Sequence, residues 1–147
     1  VILMDTNLRS ADLSYADLSY ADLRSARNIP PDLCKLSQNC PQEGDFIAWK
    51  KVYTESHQHI VLKLLIQGRR VSPVVGRKCR TDAVTVLEAF DAEGLPTELT
   101  EFESGHKSDF KYVIGESIKE PDYDDDYTVE CSKGIHFFIT KEEAMEW

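Results

Sequence analysis

Several features that would point to a common function are missing from this sequence. No apolar run approaches the roughly 18–20 residues of a membrane-spanning helix, and Val1–Met4 is far too short for a secretory signal. There is no glycine-rich phosphate loop, no Ser/His/Asp order and no recognisable pair of carboxylates. The sequence thus excludes a transmembrane helix. It argues only weakly against an enzyme, because many active sites have no local motif.

Basic residues and cysteines are also scarce. The 17 lysines and arginines are outnumbered by 26 aspartates and glutamates, so the net charge is −9. Because a nucleic-acid binder must neutralise phosphates, this balance disfavours nucleic acid as a partner. Four irregularly spaced cysteines are too few for a disulfide scaffold in 147 residues. We expect them to be reduced in a cytoplasmic protein.

A five-residue period between Thr6 and Ser25 is the most regular feature of the chain. Leucine occupies the centre of each unit, and alanine usually stands two positions before it, at Leu8, Leu13, Leu18 and Leu23 and at Ala11, Ala16 and Ala21. A helix repeats its apolar positions every three to four residues and a half-buried strand every two, so neither explains this period. The run resembles the pentapeptide-repeat family, whose pattern is A-(D/N)-L-x-x.

The resemblance implies a short right-handed quadrilateral β-helix, in which four pentapeptides make one turn. In that family the central leucine and the small residue before it point inward, which assigns all seven positions to a coil core. The run provides little more than one turn, whereas stacked repeats need about three or more units that bury one another. We therefore expect the coil to be stacked on missing upstream coils, on another chain or on the domain that follows.

The acidic face of the repeat invites comparison with family members that imitate duplex DNA. Asp12, Asp17 and Asp22 would form that face on a single turn. This patch is too short to imitate several base pairs unless further coils precede Val1. Because the chain starts close to the repeat frame, we expect it to be either a piece of a longer repeat protein or a processed form.

Prolines divide the chain into three parts. Pro30-Pro31 ends the repeat, and Pro41 and Gly44 follow before Asp45. Within this stretch Leu33–Leu36 is a candidate for one helical turn that plugs the coil. We predict a repeat coil over residues 1–30, a connector over 31–45 and a globular domain over 46–147.

The globular part is predicted to be mainly antiparallel β. Phe46–Thr54 and His59–Gln67 are rich in β-branched and aromatic residues and are separated by four polar residues, which is typical of a β-hairpin. A capping box at Thr140 predicts a helix from Lys141, and Thr81-Asp82 is a candidate start for a short helix through Val84. Further strands are predicted over the second half of Val84–Asp91 and over Glu98–Glu103, Phe110–Ile118 and Gly134–Ile139. The predicted fold class is therefore α+β, mainly β, with one or two short helices.

The globular part also resembles a known but uncharacterised domain. The matching segments are Trp49–Lys51, Gly76–Arg80, Phe110–Gly115 and Cys131–Phe138. That domain occurs attached to pentapeptide repeats in phages, large DNA viruses and some bacteria. The resemblance implies a repeat followed by a globule, and no activity.

Cys131 and His136 are weak catalytic candidates. A nearby imidazolium can activate a thiol as a nucleophile. However, a strand over Gly134–Ile139 would place His136 among large apolar neighbours, where a histidine is usually a hydrogen-bonded core residue. The alternatives are a structural histidine, a metal ligand and a catalytic residue.

A basic group is the main electrostatic anomaly of this acidic chain. It consists of Arg69, Arg70, Arg77, Lys78 and Arg80. Guanidinium groups bind phosphate or carboxylate through two hydrogen bonds, which makes these residues anion-binding candidates. The alternative is internal pairing with the acidic loop Asp122–Tyr127.

We expect no metal site and no cofactor. Five residues separate Cys34 from Cys40, which is loose for a zinc site, and His57 and His59 lie nearby in sequence. The acidic loop Asp122–Tyr127 lacks the alternation and terminal glutamate of a calcium-binding EF-hand loop.

These patterns favour a non-enzymatic protein-interaction or structural module in the cytoplasm of a bacterial or phage-infected cell. Its partner would be another protein or a second copy, bound through the repeat coil, with no membrane involved. One alternative is a ligand-binding or enzymatic domain that uses the Cys/His pair and the basic group. Another is a phage-type inhibitor of a host protein.

Overall fold

A computed structural model describes residues 7–8, 39–73, 76–105, 110–129 and 131–147. The predicted helical turn Leu33–Leu36 and all but two residues of the repeat run lie outside these ranges. Leu8 is buried. The other six residues predicted for the coil core lie outside the described part of the chain.

The described residues form nine strands and one helix. The strands are β1 (Phe46–Tyr53), β2 (His59–Ile66), β3 (Arg70–Val71), β4 (Cys79–Thr81), β5 (Ala83–Phe90), β6 (Glu101–Glu103), β7 (Lys111–Val113), β8 (Ser117–Lys119) and β9 (Ile135–Phe137). The helix, α1, spans Lys141–Glu146. A six-stranded sheet has the order β7-β6-β1-β2-β5-β8, and a three-stranded sheet has the order β3-β4-β9. All of these pairs are antiparallel, which confirms the prediction of a mainly antiparallel β domain.

β1 and β2 form the hairpin that the sequence predicts. Their residues pair in register from Phe46 opposite Ile66 to Tyr53 opposite His59. Alternate side chains of both strands face the same interior, because successive residues of a strand point to opposite faces. The turn is closed by Thr54, whose hydroxyl accepts a hydrogen bond from the backbone N–H of Gln58 (3.0 Å).

The six-stranded sheet curls until its two edges approach each other. β7 and β8 are opposite edge strands, yet only the three residues Ile114–Glu116 connect them. In a flat sheet, five strand spacings of about 4.8 Å would separate the edges by about 24 Å. The four residue steps from Val113 to Ser117 span at most about 14 Å. The sheet must therefore bend around its own interior.

The connection between β7 and β8 corrects one prediction. A single strand over Phe110–Ile118 is wrong, because the chain turns at Gly115, whose φ of +85° favours glycine. The turn is attached to β5, since Gly115 N–H donates to the carbonyl of Val86 (2.8 Å) and Val86 N–H donates to that of Glu116 (3.0 Å).

The predicted short helix after Thr81 is also wrong. Ala83–Phe90 forms the strand β5, in which Val84, Val86 and Ala89 are buried. The Thr81 side chain caps no helix. Its hydroxyl donates to the carbonyl of Arg69 (2.6 Å) and thereby joins β4 to the start of β3.

One hydrophobic core contains side chains from both sheets. Leu62 and Leu64 of β2 and Phe102 of β6 pack with Ile135 and Phe137 of the smaller sheet. The two sheets are also joined through the backbone. Trp49 and Phe138 exchange a pair of N–H···O hydrogen bonds of 2.8 and 2.7 Å.

Helix α1 begins at the predicted capping box. The Thr140 hydroxyl accepts from Glu143 N–H (3.2 Å), and the Glu143 carboxylate accepts from Thr140 N–H (3.1 Å). Ala144 and Met145 pack on the outer face of the hairpin, against Val61. Within the described ranges, no helix has the length and apolar character needed to cross a membrane.

We expect Thr140→Ala to lower the free energy of unfolding by about 1 kcal/mol, because an orphan helix N–H loses its acceptor. Urea denaturation followed by tryptophan fluorescence measures this loss. Thr140→Ser keeps the hydroxyl and is the matched control. Equal losses in the two variants would show that the cap does not stabilise the helix.

Candidate functional site

β1 is flanked by two different elements on the edge that faces away from β2. β6 pairs with it at Tyr53, opposite Glu103, and the chain after β9 pairs with it at Trp49, opposite Phe138. Neither pairing covers the stretch Lys50–Val52. A cleft of about 620 Å³ opens beside this stretch and is lined by side chains from both sheets. Its volume is in the range of small-molecule binding sites.

Lys50 reaches the cleft from the interior face of β1, between the fully buried Ala48 and Val52. Its ammonium donates to the carbonyl oxygen of His136 (3.1 Å) and lies 5.7 Å from the centre of the Tyr112 ring. Burial, aided by the positive charge of Lys78, lowers the pKa of Lys50 to about 8. At neutral pH the Lys50 ammonium is still charged, and this charge lowers the stability of the fold because the site is desolvated and lies near Lys78.

Lys78 supplies a second ammonium group to the cleft. The residue is buried just before β4. Its Nζ donates to Sγ of the exposed Cys131 (3.3 Å) and lies 4.3 Å from the centre of the Trp147 ring. The ammonium is thus held between a sulfur acceptor and an aromatic face, which is a favourable position for a cation.

Aromatic side chains form an apolar wall of the cleft. Phe110 and Tyr112 pack edge to face with their ring centres 5.4 Å apart. Burial, with a smaller contribution from the charge of Glu120, raises the pKa of Tyr112 well above its ordinary value. The phenol therefore stays neutral. Glu120 is itself buried, and its carboxylate accepts from the backbone N–H of Asp122 (3.2 Å).

Both catalytic candidates from the sequence, Cys131 and His136, line this cleft. His136 is the middle residue of β9, opposite Arg80 on β4, and its carbonyl receives the hydrogen bond from Lys50. Cys131 receives its hydrogen bond from Lys78. The histidine carbonyl thus contacts Lys50, the cysteine sulfur contacts Lys78, and both lysines line the cleft. A catalytic role for either residue stays a prediction.

Arg80 is fully buried and holds the acidic loop through backbone groups of that loop. Its guanidinium donates to the carbonyl oxygens of Asp124, Asp126 and Val129, at 2.6 Å for Asp124. Gly134 leaves room for it, since a Cβ atom there would approach the Arg80 side chain to 3.3 Å. Arg80 therefore shapes the loop that runs beside the cleft.

The other three arginines lie apart from one another. Arg69 forms an ion pair with Asp82 (2.7 Å), and Arg77 forms one with Glu143 of α1 (2.6 Å). Arg70 stacks over the Phe46 ring, with its guanidinium carbon 5.3 Å from the ring centre. Of the five basic residues predicted to bind an anion, the structure brings Lys78 to the cleft and gives the four arginines internal partners.

No group of three or more His, Cys, Asp or Glu side chains in the described segments is arranged to hold a metal ion. His59 packs edge to face on Tyr53 (5.1 Å between ring centres). Cys40 lies in a separate cluster with Ser72 and Cys79. Cys34 falls outside the described residues.

Sequence patterns do not single out Lys50, Tyr112 or Trp147 as site residues. The sequence does contain one indication for Lys50. Strand alternation places it on the same face as the apolar Ala48 and Val52, and a lysine in such a position is unusual enough to suggest a function. Tyr112 and Trp147 carried none. Nothing in the sequence indicates that β7 and the end of α1 approach the same part of β1.

The described residues thus define the class of protein, a mainly antiparallel β domain with an open cleft that carries lysines. The chain belongs to a family of unknown function, DUF5758, whose model matches residues 36–144. Residues 2–27 match the model of pentapeptide repeats (8 copies). Both matches confirm the resemblances seen in the sequence. No curated protein and no solved structure matches the chain.

We expect the stability of the protein to rise with pH as the Lys50 charge is removed. Between pH 8 and 10.5 the folded protein has released this proton while the unfolded chain still holds it. Because the unfolded state then binds more protons, the free energy of unfolding increases with pH. The full effect is up to about 3 kcal/mol.

Urea denaturation across this pH range measures the effect, with Lys50→Arg as the control because its guanidinium stays charged. The wild type should gain stability relative to the variant as the pH rises. A difference between the two proteins that stays constant from pH 7 to 10.5 would contradict the assignment.

Proposed function

We propose that the globular domain is a non-enzymatic binding module, and that its cleft takes an anionic group carried on an apolar or aromatic body. One observation carries the proposal. The ammonium groups of Lys50 and Lys78 line a single cleft together with the rings of Phe110, Tyr112 and Trp147. Small-molecule sites combine apolar walls with a few placed polar groups in this way.

The charge of the residues that line the cleft favours an anionic ligand. Among the described residues that line the cleft, Lys50, Lys78 and Lys133 stand against the carboxylate of Glu120, and Lys133 also pairs with Asp122 (3.5 Å). The whole chain has the opposite balance, with a net charge of −9. A local excess of positive charge in an acidic protein attracts anions to that place and repels them elsewhere.

The lowered pKa of Lys50 supports the same ligand. Desolvation and repulsion from Lys78 make its ammonium costly in the empty cleft. A bound carboxylate would offset both effects, since an opposite charge within hydrogen-bond distance favours the charged form of an amine. Binding at about pH 8 should therefore be accompanied by proton uptake at Lys50.

We expect 2-naphthoate to bind the protein more tightly than the uncharged 2-naphthamide, because only the carboxylate pairs with the lysines. Isothermal titration calorimetry at pH 7 and low salt measures both affinities. Loss of one charged hydrogen bond in Lys50→Met or Lys78→Met should weaken naphthoate binding about tenfold or more.

Lys63→Met is the matched control, because Lys63 pairs with Glu88 (2.7 Å) outside the cleft. Affinity for naphthoate should be unchanged in this variant. Equal affinity for naphthoate and naphthamide, or equal losses in all three lysine variants, would refute the anion site.

The match to pentapeptide repeats supports a second proposal, that the repeat run forms a protein interface. Residues 2–27 leave room for about five pentapeptides, and so few repeats do not bury one another. The leucines at the repeat centres would then pack against the globular domain or against a second copy of the chain. The globular domain and the repeat would thus have separate binding roles.

We expect the wild-type chain either to self-associate in sedimentation velocity or to resist proteolysis over residues 1–30. Leu13→Asp with Leu18→Asp should abolish that behaviour, because a charge cannot replace a buried leucine. Ser14→Asp with Ser19→Asp, at variable repeat positions, is the control. A monomer that loses residues 1–30 readily, with no change in unfolding of the remainder, would refute the interface.

A further inference from the structure

Two further cysteines of the described part of the chain, Cys40 and Cys79, are buried and do not line the cleft. Cys40 and Cys79 are free thiols and both are almost fully buried. Each contacts the hydroxyl oxygen of Ser72, at 3.2 Å from Cys40 Sγ and 3.6 Å from Cys79 Sγ. Because both sulfur atoms contact the same hydroxyl oxygen, these two residues, 39 positions apart in the chain, lie close together in the fold.

The backbone holds this arrangement in place. Ser72 follows β3, and its hydroxyl accepts from the N–H groups of Asn39 (2.8 Å) and Cys40 (3.1 Å). Cys79 is the first residue of β4, where its side chain joins the hydrophobic core. Cys40 thus approaches Cys79 because one buried hydroxyl fastens the incoming chain to the smaller sheet.

The surroundings give the two thiols different properties. The hydrogen bond from Cys79, opposed by burial and assisted by Ser72, Arg70 and Gln42, lowers the pKa of Cys40 to about 7. The hydrogen bond to Cys40, together with burial, raises the pKa of Cys79. A lower pKa makes Cys40 the better nucleophile of the two.

Cys40 also lies directly beneath the surface. Every residue from Pro41 to Asp45 is exposed. The Gln42 amide contacts Cys40 Sγ at 3.5 Å and covers it from that side. Cys40 therefore adjoins an exposed segment, whereas Cys79 is fully buried.

We propose that Cys40 and Cys79 are a redox-sensitive pair that a peroxide converts into a disulfide. This site lies outside the cleft, and the inference goes beyond the proposed binding function. It rests on the adjacency of the two sulfur atoms, their shared contact with Ser72 and the position of Cys40 beneath an exposed segment.

The reaction proceeds in two balanced steps. The Cys40 thiolate attacks one oxygen of hydrogen peroxide, so an S–O bond forms, the O–O bond breaks and hydroxide leaves. The Cys79 sulfur then attacks the Cys40 sulfur, so the S–S bond forms and the S–O bond breaks. The Cys79 proton and the departing hydroxide leave as water, and the hydroxide of the first step takes up the proton that the Cys40 thiol released. The two sulfurs lose two electrons in total, and the peroxide is reduced to two molecules of water.

The bond would tie the connector to the domain. A disulfide brings the sulfur atoms to about 2.05 Å and closes the loop between Cys40 and Cys79. Closing a loop of about 40 residues restricts the unfolded chain, so we expect the midpoint of thermal unfolding to rise by about 10 °C. Reduction by dithiothreitol should reverse this shift.

The test uses the full chain, treated with increasing hydrogen peroxide and then alkylated with N-ethylmaleimide. Peptide mapping without reduction should find a Cys40–Cys79 disulfide, with the loss of two hydrogen atoms from the mass. The same treatment in urea should not favour this pair, because its proximity depends on the fold. The exposed Cys131 is the internal reference for ordinary thiol oxidation.

Two variants test the order of events. Cys79→Ser should leave Cys40 as a sulfenic acid that dimedone traps, whereas Cys40→Ser should leave Cys79 unlabelled. The proposal is overturned if Cys40 and Cys79 stay alkylatable at peroxide levels that oxidise Cys131. It is also overturned if the folded and urea-unfolded chains form this disulfide equally, a result that needs no variant to fold.

Discussion

Three residues, Ile114–Glu116, connect the two edge strands of the larger sheet, and this short connection forces the sheet to curl around an interior. Curling places alternate side chains of β1 and β2 inside, where they pack with β6, β7 and the smaller sheet. It also leaves β1 with a different neighbour at each end of its outer edge. The cleft lies where those neighbours do not meet, so it follows from the way the sheet closes.

The cations Arg80 and Lys50 are satisfied in different ways in this fold. The Arg80 guanidinium donates to three backbone carbonyls, so its hydrogen bonds are met within the domain. Lys50 donates to one carbonyl, faces an aromatic ring and is repelled by Lys78. A cation with complete internal bonding stabilises a loop, whereas one with a lowered pKa beside an open cleft is suited to a ligand. For this reason the proposed function assigns ligand binding to the lysines and not to Arg80.

The start of β4 lies between the two sites. Lys78 lines the cleft, and its neighbour Cys79 points into the core against Cys40 and Ser72. The same segment therefore contacts the incoming chain on one side and the cleft on the other. This explains why Asn39 and Cys40, which the sequence assigns to a connector, pack on the domain through Ser72. The family match, which begins at residue 36, includes them.

Local chemistry determined what the sequence could predict. The hairpin, the capping box at Thr140, the mainly antiparallel class and the repeat followed by a globule all depend on neighbouring residues, and all were predicted correctly. The strand break at Gly115 and the start of β5 directly after Thr81 were missed, because hydrogen bonds to distant segments decide them. The sites were decided by the tertiary structure alone. Lys50, Lys78 and Trp147, like Cys40 and Cys79, become neighbours only when the curled sheet brings distant parts of the chain together.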